Sequence, residues 1–131
     1  MTGRLLSPDL FARAGISASL VVSGYLHADL YGSGYRYIHI IGPSFLLQAA
    51  ASFALAVMVL AGPWTLRVAA VGLAVGALGA FVLSRTTGLF GFSEVGWEPA
   101  PQAALSVGAE ILTVILGVAS LLIAYRGGRK T

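Results

Sequence analysis

Long runs of apolar residues, separated by short polar segments, dominate the chain. Four of these runs have about the 20 residues that a helix needs to cross a bilayer core of about 30 Å. They cover residues 10–30, 43–61, 64–84 and 102–125. Ser7-Pro8-Asp9 precedes the first run, and an acidic cap residue beside a proline is typical of a helix start. The pattern predicts an all-α polytopic membrane protein, a four-helix transmembrane bundle in a single domain over residues 1–131.

A cleaved signal peptide is the main alternative for the first run. Cleavage at Ala28 would place Leu26-His27 before the cut, which is not the small-x-small pattern that such sites need. We therefore expect the first run to be retained as a span.

The connections and the basic residues predict an orientation. Only Gly62-Pro63 separates the second and third runs, so we expect these two helices to form a tight antiparallel pair. With four spans, the two longer connections lie together on the opposite side. Basic residues favour the cytoplasmic side. Six fall on the side of the termini and two on the other side: Arg4, Arg13, Arg67, Arg126, Arg129 and Lys130, against Arg36 and Arg85. Both termini are predicted to be cytoplasmic.

The composition agrees with the membrane assignment and excludes several classes of protein. Hydrophobic residues make up 57% of the chain and charged residues only 10%, where a soluble domain has about 25%. The chain has no cysteine, which excludes thiol catalysis, zinc–thiolate sites and iron–sulfur clusters. The net charge is +3. Because its basic residues follow the topology and do not cluster on one soluble face, we expect no nucleic-acid partner.

Small and polar residues recur on one stripe of each run, and such residues mark helix contacts inside membranes. The stripes, from the first run to the fourth, are Gly15, Ser19, Ser23 and His27; Ser44, Gln48 and Ser52; Ala69, Gly72, Gly76 and Gly79; and Ser106, Glu110, Thr113, Gly117, Ser120 and Ala124. We expect these stripes to pack against one another. Gly72 and Gly76 also form a small-xxx-small pair, which makes self-association through them a hypothesis.

Glu110 is the one carboxylate predicted to lie deep in a span, about 12 Å of helix from its start. A charged side chain at such a depth costs about 2.5 kcal/mol or more in lipid, so we expect Glu110 to face the bundle interior and find a partner. Ser23 and Gln48 are predicted at a similar depth, with His27 one turn nearer the outside and Arg85 at the outer rim. These side chains predict a polar cluster in the outer half of the bundle.

Three interpretations of this cluster remain open. In the first, Glu110 is protonated or paired with Arg85 or His27 and fixes the helix register. In the second, His27, His39 and Asp29 or Glu110 hold a metal such as zinc or copper. In the third, the cluster binds a proton, an ion or a polar headgroup in a cavity open to the outside. A haem held by both histidines is a further alternative, and the residues do not identify a cofactor.

The second of the longer connections is apolar for a segment in water. It carries Leu89, Phe90 and Phe92, followed by Trp97. Such residues favour an interfacial segment lying on the bilayer. They are also suited to an interface with a partner or a lid over the cavity.

Two segments resemble small four-span membrane proteins of high-GC actinobacteria. They are residues 37–50, YIHIIGPSFLLQAA, and residues 83–92, LSRTTGLFGF. The resemblance covers most of the chain and implies four spans, a bacterial origin and hence a multi-pass protein of the bacterial cytoplasmic (inner) membrane. It carries over no functional residue.

The sequence predicts a small non-enzymatic membrane protein, because no nucleophile and base occur together. We expect an accessory or partner-binding subunit of a larger membrane complex that uses its extracytoplasmic loops. The alternative is a protein that binds or transports a metal, haem, ion or small ligand at the polar cluster.

Overall fold

Four long helices form the computed structural model, which describes residues 7–129. They are α1 (Pro8–Gly32), α2 (Ile41–Met58), α3 (Thr65–Arg85) and α4 (Gln102–Gly128). The four apolar runs predicted these helices to within three residues at each end. Within residues 7–129, extended backbone pairs only in an isolated bridge between Leu89 and Phe92. The all-α prediction is confirmed. Arg4 and Lys130, which entered the charge count, lie outside the described residues.

Three of the four helices, α2, α3 and α4, are long and apolar enough to cross a membrane. Helix α1 is not one of them. The structure therefore supports a helical membrane protein, and a fourth crossing stays a prediction.

Local sequence signals explain where α1 begins. The Ser7 hydroxyl accepts a hydrogen bond of 3.1 Å from the amide of Leu10, so Ser7 is the N-cap. Pro8 occupies the first turn, where its missing N–H costs nothing. Asp9 lies in the first turn and not at the cap, so the predicted acidic cap is wrong by two residues. It still places a negative charge at the positive end of the helix dipole.

The helices pack in an order that differs from the expectation for α2 and α3. Helix α1 packs along both α2 and α4, and α3 packs mainly on α4. Helices α2 and α3 are consecutive in the chain, but they pack on each other less extensively than these pairs do. The prediction of a tight α2–α3 pair is therefore wrong. The short connection over residues 59–64 joins them at one end only.

The predicted stripes are confirmed for α4 and α1. In α4 the buried residues include Ser106, Glu110, Thr113, Gly117 and Ser120, whereas Ala124 is exposed. In α1, Ser19, Ser23 and His27 are buried. The Ser19 hydroxyl lies 2.6 Å from the Thr113 hydroxyl and joins the two helices.

The predicted stripe of α3 is wrong as a contact face within the chain. Ala69, Gly72, Gly76 and Gly79 are exposed, and a Cβ at any of the three glycines would meet no atom within 4 Å. The buried face instead carries Arg67, Ala70 and Ala74. The polar contact of Arg67 with α1 turns this face inward. In α2, Ser52 is buried, while Ser44 is exposed and Gln48 is half-buried. Self-association through Gly72 and Gly76 stays a hypothesis.

We call the end of the bundle that holds the start of α1 the terminal end, and the opposite end, with residues 33–40 and 86–101, the loop end. Ionic contacts hold the terminal end together. The Arg13 guanidinium donates to the carbonyl oxygens of Val59 and Gly62, both at 2.8 Å, and its Nε lies 2.8 Å from Asp9 Oδ2. Asp9 Oδ1 lies 2.6 Å from Nη2 of Arg67. Two arginines that the sequence identified only as topology signals therefore join α1 to the α2–α3 connection and to α3.

Candidate ligand-binding cavity

A cavity of about 320 Å³ lies in the loop-end half of the bundle, between α2, α3 and α4. It occupies the place where α2 and α3 fail to pack. Apolar side chains form most of its wall, among them Phe45 and Leu47 of α2 and Leu73 and Phe81 of α3. Leu47 and Gly76 line the cavity and are also exposed on the surface of the bundle, so the cavity is open on the side between α2 and α3.

Glu110 lines this cavity and is only 2% exposed. Its Oε1 accepts hydrogen bonds from the hydroxyls of Ser106, one turn earlier on α4, at 3.0 Å and of Ser23, on α1, at 3.4 Å. Its other oxygen, Oε2, has no hydrogen-bond partner among the described residues. The carboxyl group is therefore held on one side and free to bind a further group on the other.

His27 completes the polar part of the cavity. Its Nδ1 lies 2.8 Å from the carbonyl oxygen of Ser23, which can only accept, so Nδ1 carries a proton. Its Nε2 lies 3.7 Å from Oε1 of Glu110. If the His27–Glu110 pair is neutral overall, it carries one proton besides the one on Nδ1, and that proton is bound either to Nε2 or to the carboxyl group. Phe45 packs edge-on against the imidazole with ring centroids 5.1 Å apart.

The structure brings the side chains of the predicted polar cluster together, but Arg85 does not pair with Glu110. His27, Gln48, Arg85 and Glu110 all line the cavity, and Ser23 contacts Glu110. Of the two partners suggested for Glu110, His27 lies beside it and Arg85 does not contact it. Arg85 donates to the hydroxyl of Ser84 at 2.6 Å and to the carbonyl oxygens of Gly96, at 3.0 Å, and Glu98. Ser84 is the neighbouring residue on α3, and the carbonyl oxygens of Gly96 and Glu98 belong to the loop that follows this helix, whereas Glu110 lies one-third of the way along α4.

The metal hypothesis for His27, His39 and Asp29 is wrong in this structure. Within residues 7–129, no three histidine or acidic side chains lie close enough together to hold a metal ion. His39 is exposed in the first loop and does not line the cavity, whereas His27 is buried. Asp29 contacts Gln102 instead, at 3.5 Å. The two imidazoles do not face each other across the cavity, so the bis-histidine haem site is not formed either.

The two loops meet over the cavity. The Tyr35 hydroxyl donates a hydrogen bond of 2.7 Å to Glu94, and its ring stacks on Phe45 with centroids 4.9 Å apart. Burial, together with the bond to Glu94, raises the pKa of Tyr35 above its ordinary value. Phe92 packs edge-on against Tyr35 and lines the cavity. The loops therefore cover the cavity at this end.

Phe90, Phe92 and Trp97 occupy three different environments. Phe92 is half-buried under the loops. Phe90 is 68% exposed at the tip of the turn between Leu89 and Phe92. Trp97 is 57% exposed, and its ring lies 5.4 Å from that of Phe81, which lines the cavity. Only Phe90 and Trp97 remain available for contact with another molecule.

Sequence reasoning missed the aromatic part of the site. Tyr35, Phe45 and Phe81 line the cavity, and the sequence pattern predicted none of them as a site residue. Apolar residues on a membrane helix carry no signal that separates a cavity wall from a lipid-facing surface.

Comparisons of the chain with protein-family models, with curated protein sequences and with solved structures find no match.

Proposed function

We propose that the chain is a non-enzymatic membrane protein that binds a small lipophilic molecule in the cavity between α2, α3 and α4. One observation carries the proposal: a buried carboxyl group and an imidazole border a cavity that is otherwise mainly apolar. A pair that served helix register alone would need no empty space beside it. Here Oε2 of Glu110 is left without a partner among the described residues, and the volume of about 320 Å³ is at the small end of the range for ligand sites.

The two glycines of α3 provide a matched test of this proposal. Gly76 lines the cavity and Gly72, one turn earlier, does not, yet both are exposed and both have open space at the Cβ position. Gly76→Leu should fill the opening of the cavity. Gly72→Leu changes the helix propensity of α3 by the same amount but lies outside the cavity, so it serves as the control. Purified wild-type protein and the Gly72→Leu variant should retain a lipophilic molecule, detected by mass spectrometry of an organic extract. The Gly76→Leu variant should lose it. Equal retention by all three proteins would overturn the proposal.

We further propose that the chain crosses the membrane four times, with both termini in the cytoplasm. We also propose that its source is a bacterium similar to the high-GC actinobacteria. The packing of α1 between α2 and α4 supports a fourth crossing, because Ser19, Ser23 and His27 of this helix are covered by protein. The chain has no cysteine, so single cysteines report sidedness directly. Ser33→Cys and Thr87→Cys should react with a membrane-impermeant maleimide in intact cells, and Pro63→Cys only after permeabilisation. The reverse pattern, or one mixed within the loops, would contradict this orientation.

A second candidate is an accessory subunit that contacts a larger membrane complex through the loop end. The exposed side chains of Phe90, Val95 and Trp97 favour it, at 68%, 83% and 57% exposure. Replacing Phe90 and Val95 by serine should then reduce the native particle mass to that of a single chain. Phe11→Ser, at an equally exposed position of the terminal end, serves as the control. A single-chain mass for the wild-type protein after mild extraction would exclude this candidate.

A further inference from the structure

The position of the cavity determines how a ligand reaches it. The opening lies between α2 and α3, and both are among the helices long and apolar enough to cross a membrane. The opposite side of the cavity is closed by α1 and α4, and the loops cover its end through Tyr35 and Phe92. The route between α2 and α3 leads to the lipid-facing surface of the bundle. A ligand that uses it has to dissolve in the bilayer.

The walls favour a planar ring. Phe45 and Phe81 line the cavity from α2 and α3, and Phe92 lines it from the loop. Tyr35 already stacks on Phe45 with their planes 13° apart. Aromatic walls bind flat π-systems by stacking or edge contacts. The volume of about 320 Å³ holds one or two fused rings but not a whole phospholipid.

The charges bordering the cavity favour a neutral ligand. Arg85 lines the cavity, and its hydrogen bonds within residues 7–129 go to a hydroxyl and to carbonyl oxygens, with no carboxylate among them. The Arg85 guanidinium lies over the Phe81 ring, with Cζ 4.0 Å from the ring centroid, and its positive charge beside the cavity disfavours an organic cation. When the Glu110 carboxyl group is ionised it disfavours an anion, because two buried negative groups repel each other. When Glu110 is protonated, its Oε2, which has no hydrogen-bond partner among the described residues, can donate a hydrogen bond to a carbonyl oxygen.

We infer that the cavity takes a lipophile of the quinone class, a neutral planar ring with carbonyl oxygens and an apolar tail. The inference rests on the function proposed above and assigns the ligand class of the same site. The ring lies between Phe45, Phe81 and Phe92, with one carbonyl oxygen accepting a hydrogen bond from Glu110. The tail leaves between α2 and α3 into the bilayer. The proposal concerns binding, and no electron transfer is part of it.

Trp97 provides a direct reporter for the test. The chain has two tryptophans, so Trp64→Phe leaves Trp97, whose ring lies 5.4 Å from Phe81, as the only one. This protein in lipid nanodiscs is titrated with a naphthoquinone that carries a short isoprenoid tail. We expect saturable quenching of Trp97 at one quinone per chain. Gly76→Leu should abolish the saturable part, and Gly72→Leu should leave it unchanged.

Two substitutions of Glu110 separate the three ligand classes. Glu110→Gln keeps a hydrogen-bond donor without the charge, so quinone affinity should stay within about threefold. Glu110→Leu removes the donor and should weaken binding by about tenfold or more. For an organic cation, such as tetraphenylphosphonium, Glu110→Gln would already abolish binding, and for an anion, such as laurate, it would tighten binding. Glu110→Leu also removes the acceptor of Ser106, so its unfolding temperature is measured alongside. If the Glu110→Leu variant does not fold, the ligand class is judged from Glu110→Gln and from the comparison of Gly76→Leu with Gly72→Leu.

The outcomes distinguish failure of the ligand class from failure of the proposed function. Quenching that rises linearly and equally in wild-type protein and Gly76→Leu overturns the quinone inference. The inference is also overturned if tetraphenylphosphonium displaces the quinone and Glu110→Gln abolishes its binding, or if laurate displaces the quinone and Glu110→Gln tightens its binding. If wild-type protein still retains a molecule that Gly76→Leu loses, only the ligand class is wrong. If neither retention nor quenching distinguishes the two proteins, both proposals are overturned.

Discussion

Asp9 and Arg67 form an ion pair of 2.6 Å although 58 residues separate them in the chain. Arg67 is 3% exposed, while the Asp9 side chain is 53% exposed. Nε and Nη1 of Arg67 are buried without a hydrogen-bond partner in the described part of the chain. Asp9 is the acidic group that compensates this buried charge, and the contact sets the rotation of α3 that leaves its glycines outside.

Asp9→Asn should destabilise the protein by about 1–2 kcal/mol. The substitution removes the counter-charge of a buried guanidinium, and the cost is below the 3–5 kcal/mol of a fully buried pair because Asp9 is half exposed. Unfolding in detergent, followed by circular dichroism, measures the change. Asp29→Asn is the matched control, since within residues 7–129 the Asp29 side chain accepts a single, long hydrogen bond of 3.5 Å, from Gln102. An equal effect of both substitutions would contradict the role of the ion pair.

The same carboxylate predicts a dependence of stability on acid pH. The hydrogen bond from Arg13, followed by the contact with Arg67, lowers the pKa of Asp9 below its ordinary value of 3.8. Because the folded-state pKa is lowered, this contribution is present above pH 3.8 and is lost as the pH falls through the folded-state pKa. Wild-type protein should lose stability in this acid range more steeply than Asp9→Asn. Parallel curves for the two proteins would contradict the assignment.

Arg13→Gln should weaken the connection between α1 and the α2–α3 turn. The guanidinium donates to the carbonyl oxygens of Val59 and Gly62, which follow the last turn of α2 and have no partner further along the helix. Losing these charged hydrogen bonds should cost about 2 kcal/mol of unfolding free energy. Arg126→Gln, at an exposed position of α4, makes the same change of charge. We expect it to change stability by less than about 0.5 kcal/mol.

Two glycines of α4 should respond to alanine in opposite directions. A Cβ at Gly117 would overlap Cγ2 of Val71 on α3, whereas a Cβ at Gly108 meets no atom within 4 Å. Valine cannot easily turn away because its χ1 angle is restricted. Gly117→Ala should therefore cost about 1–2 kcal/mol, and Gly108→Ala should stabilise the helix by about 0.5–1 kcal/mol. Thermal unfolding of the two variants compares them directly, and a stabilising effect at Gly117 would show that α3 and α4 are not in close contact.

Tyr35 predicts a loss of stability at alkaline pH. Burial, and then its hydrogen bond to Glu94, raises its pKa above the ordinary value of 10.0. A raised folded-state pKa gives a contribution that is complete below about pH 10 and is lost as the pH rises through the folded-state value. Tyr35→Phe should reduce this alkaline loss. Tyr37→Phe, at a side chain that is 76% exposed, should leave it unchanged.

The sequence predicted the helices and the polar end of the cavity for the same physical reason. A bilayer requires runs of about 20 apolar residues, so any break in a run is visible, and a carboxyl group inside a run has to face other helices. This is why Glu110, Ser23 and His27 were predicted together and are in contact. The seam of α4 followed from the same rule, since its small and polar residues recur at the spacing of helix packing.

Rotation and pairing of the helices could not be predicted in this way. The stripe of α3 that contains Gly72 and Gly76 had the spacing of a contact face, yet the Arg67–Asp9 ion pair turns the opposite face inward. Arg85 was one of two suggested partners of Glu110, but it donates to the Ser84 hydroxyl and to backbone carbonyl oxygens of the following loop. The sequence does not show which backbone carbonyl oxygens a side chain will contact. A single ionic contact between distant residues can also determine which face of a helix is buried, against the local spacing of small residues.

Helices α2 and α3 resemble the two arms of a V whose vertex is residues 59–64. Arg13 fixes the vertex through Val59 and Gly62, whereas the arms are apart at the other end. With arms of about 30 Å, one degree of divergence changes their separation at the loop end by about 0.5 Å. Small angular adjustments can thus match the width of the opening to occupants of different thickness while every polar contact at the vertex stays in place.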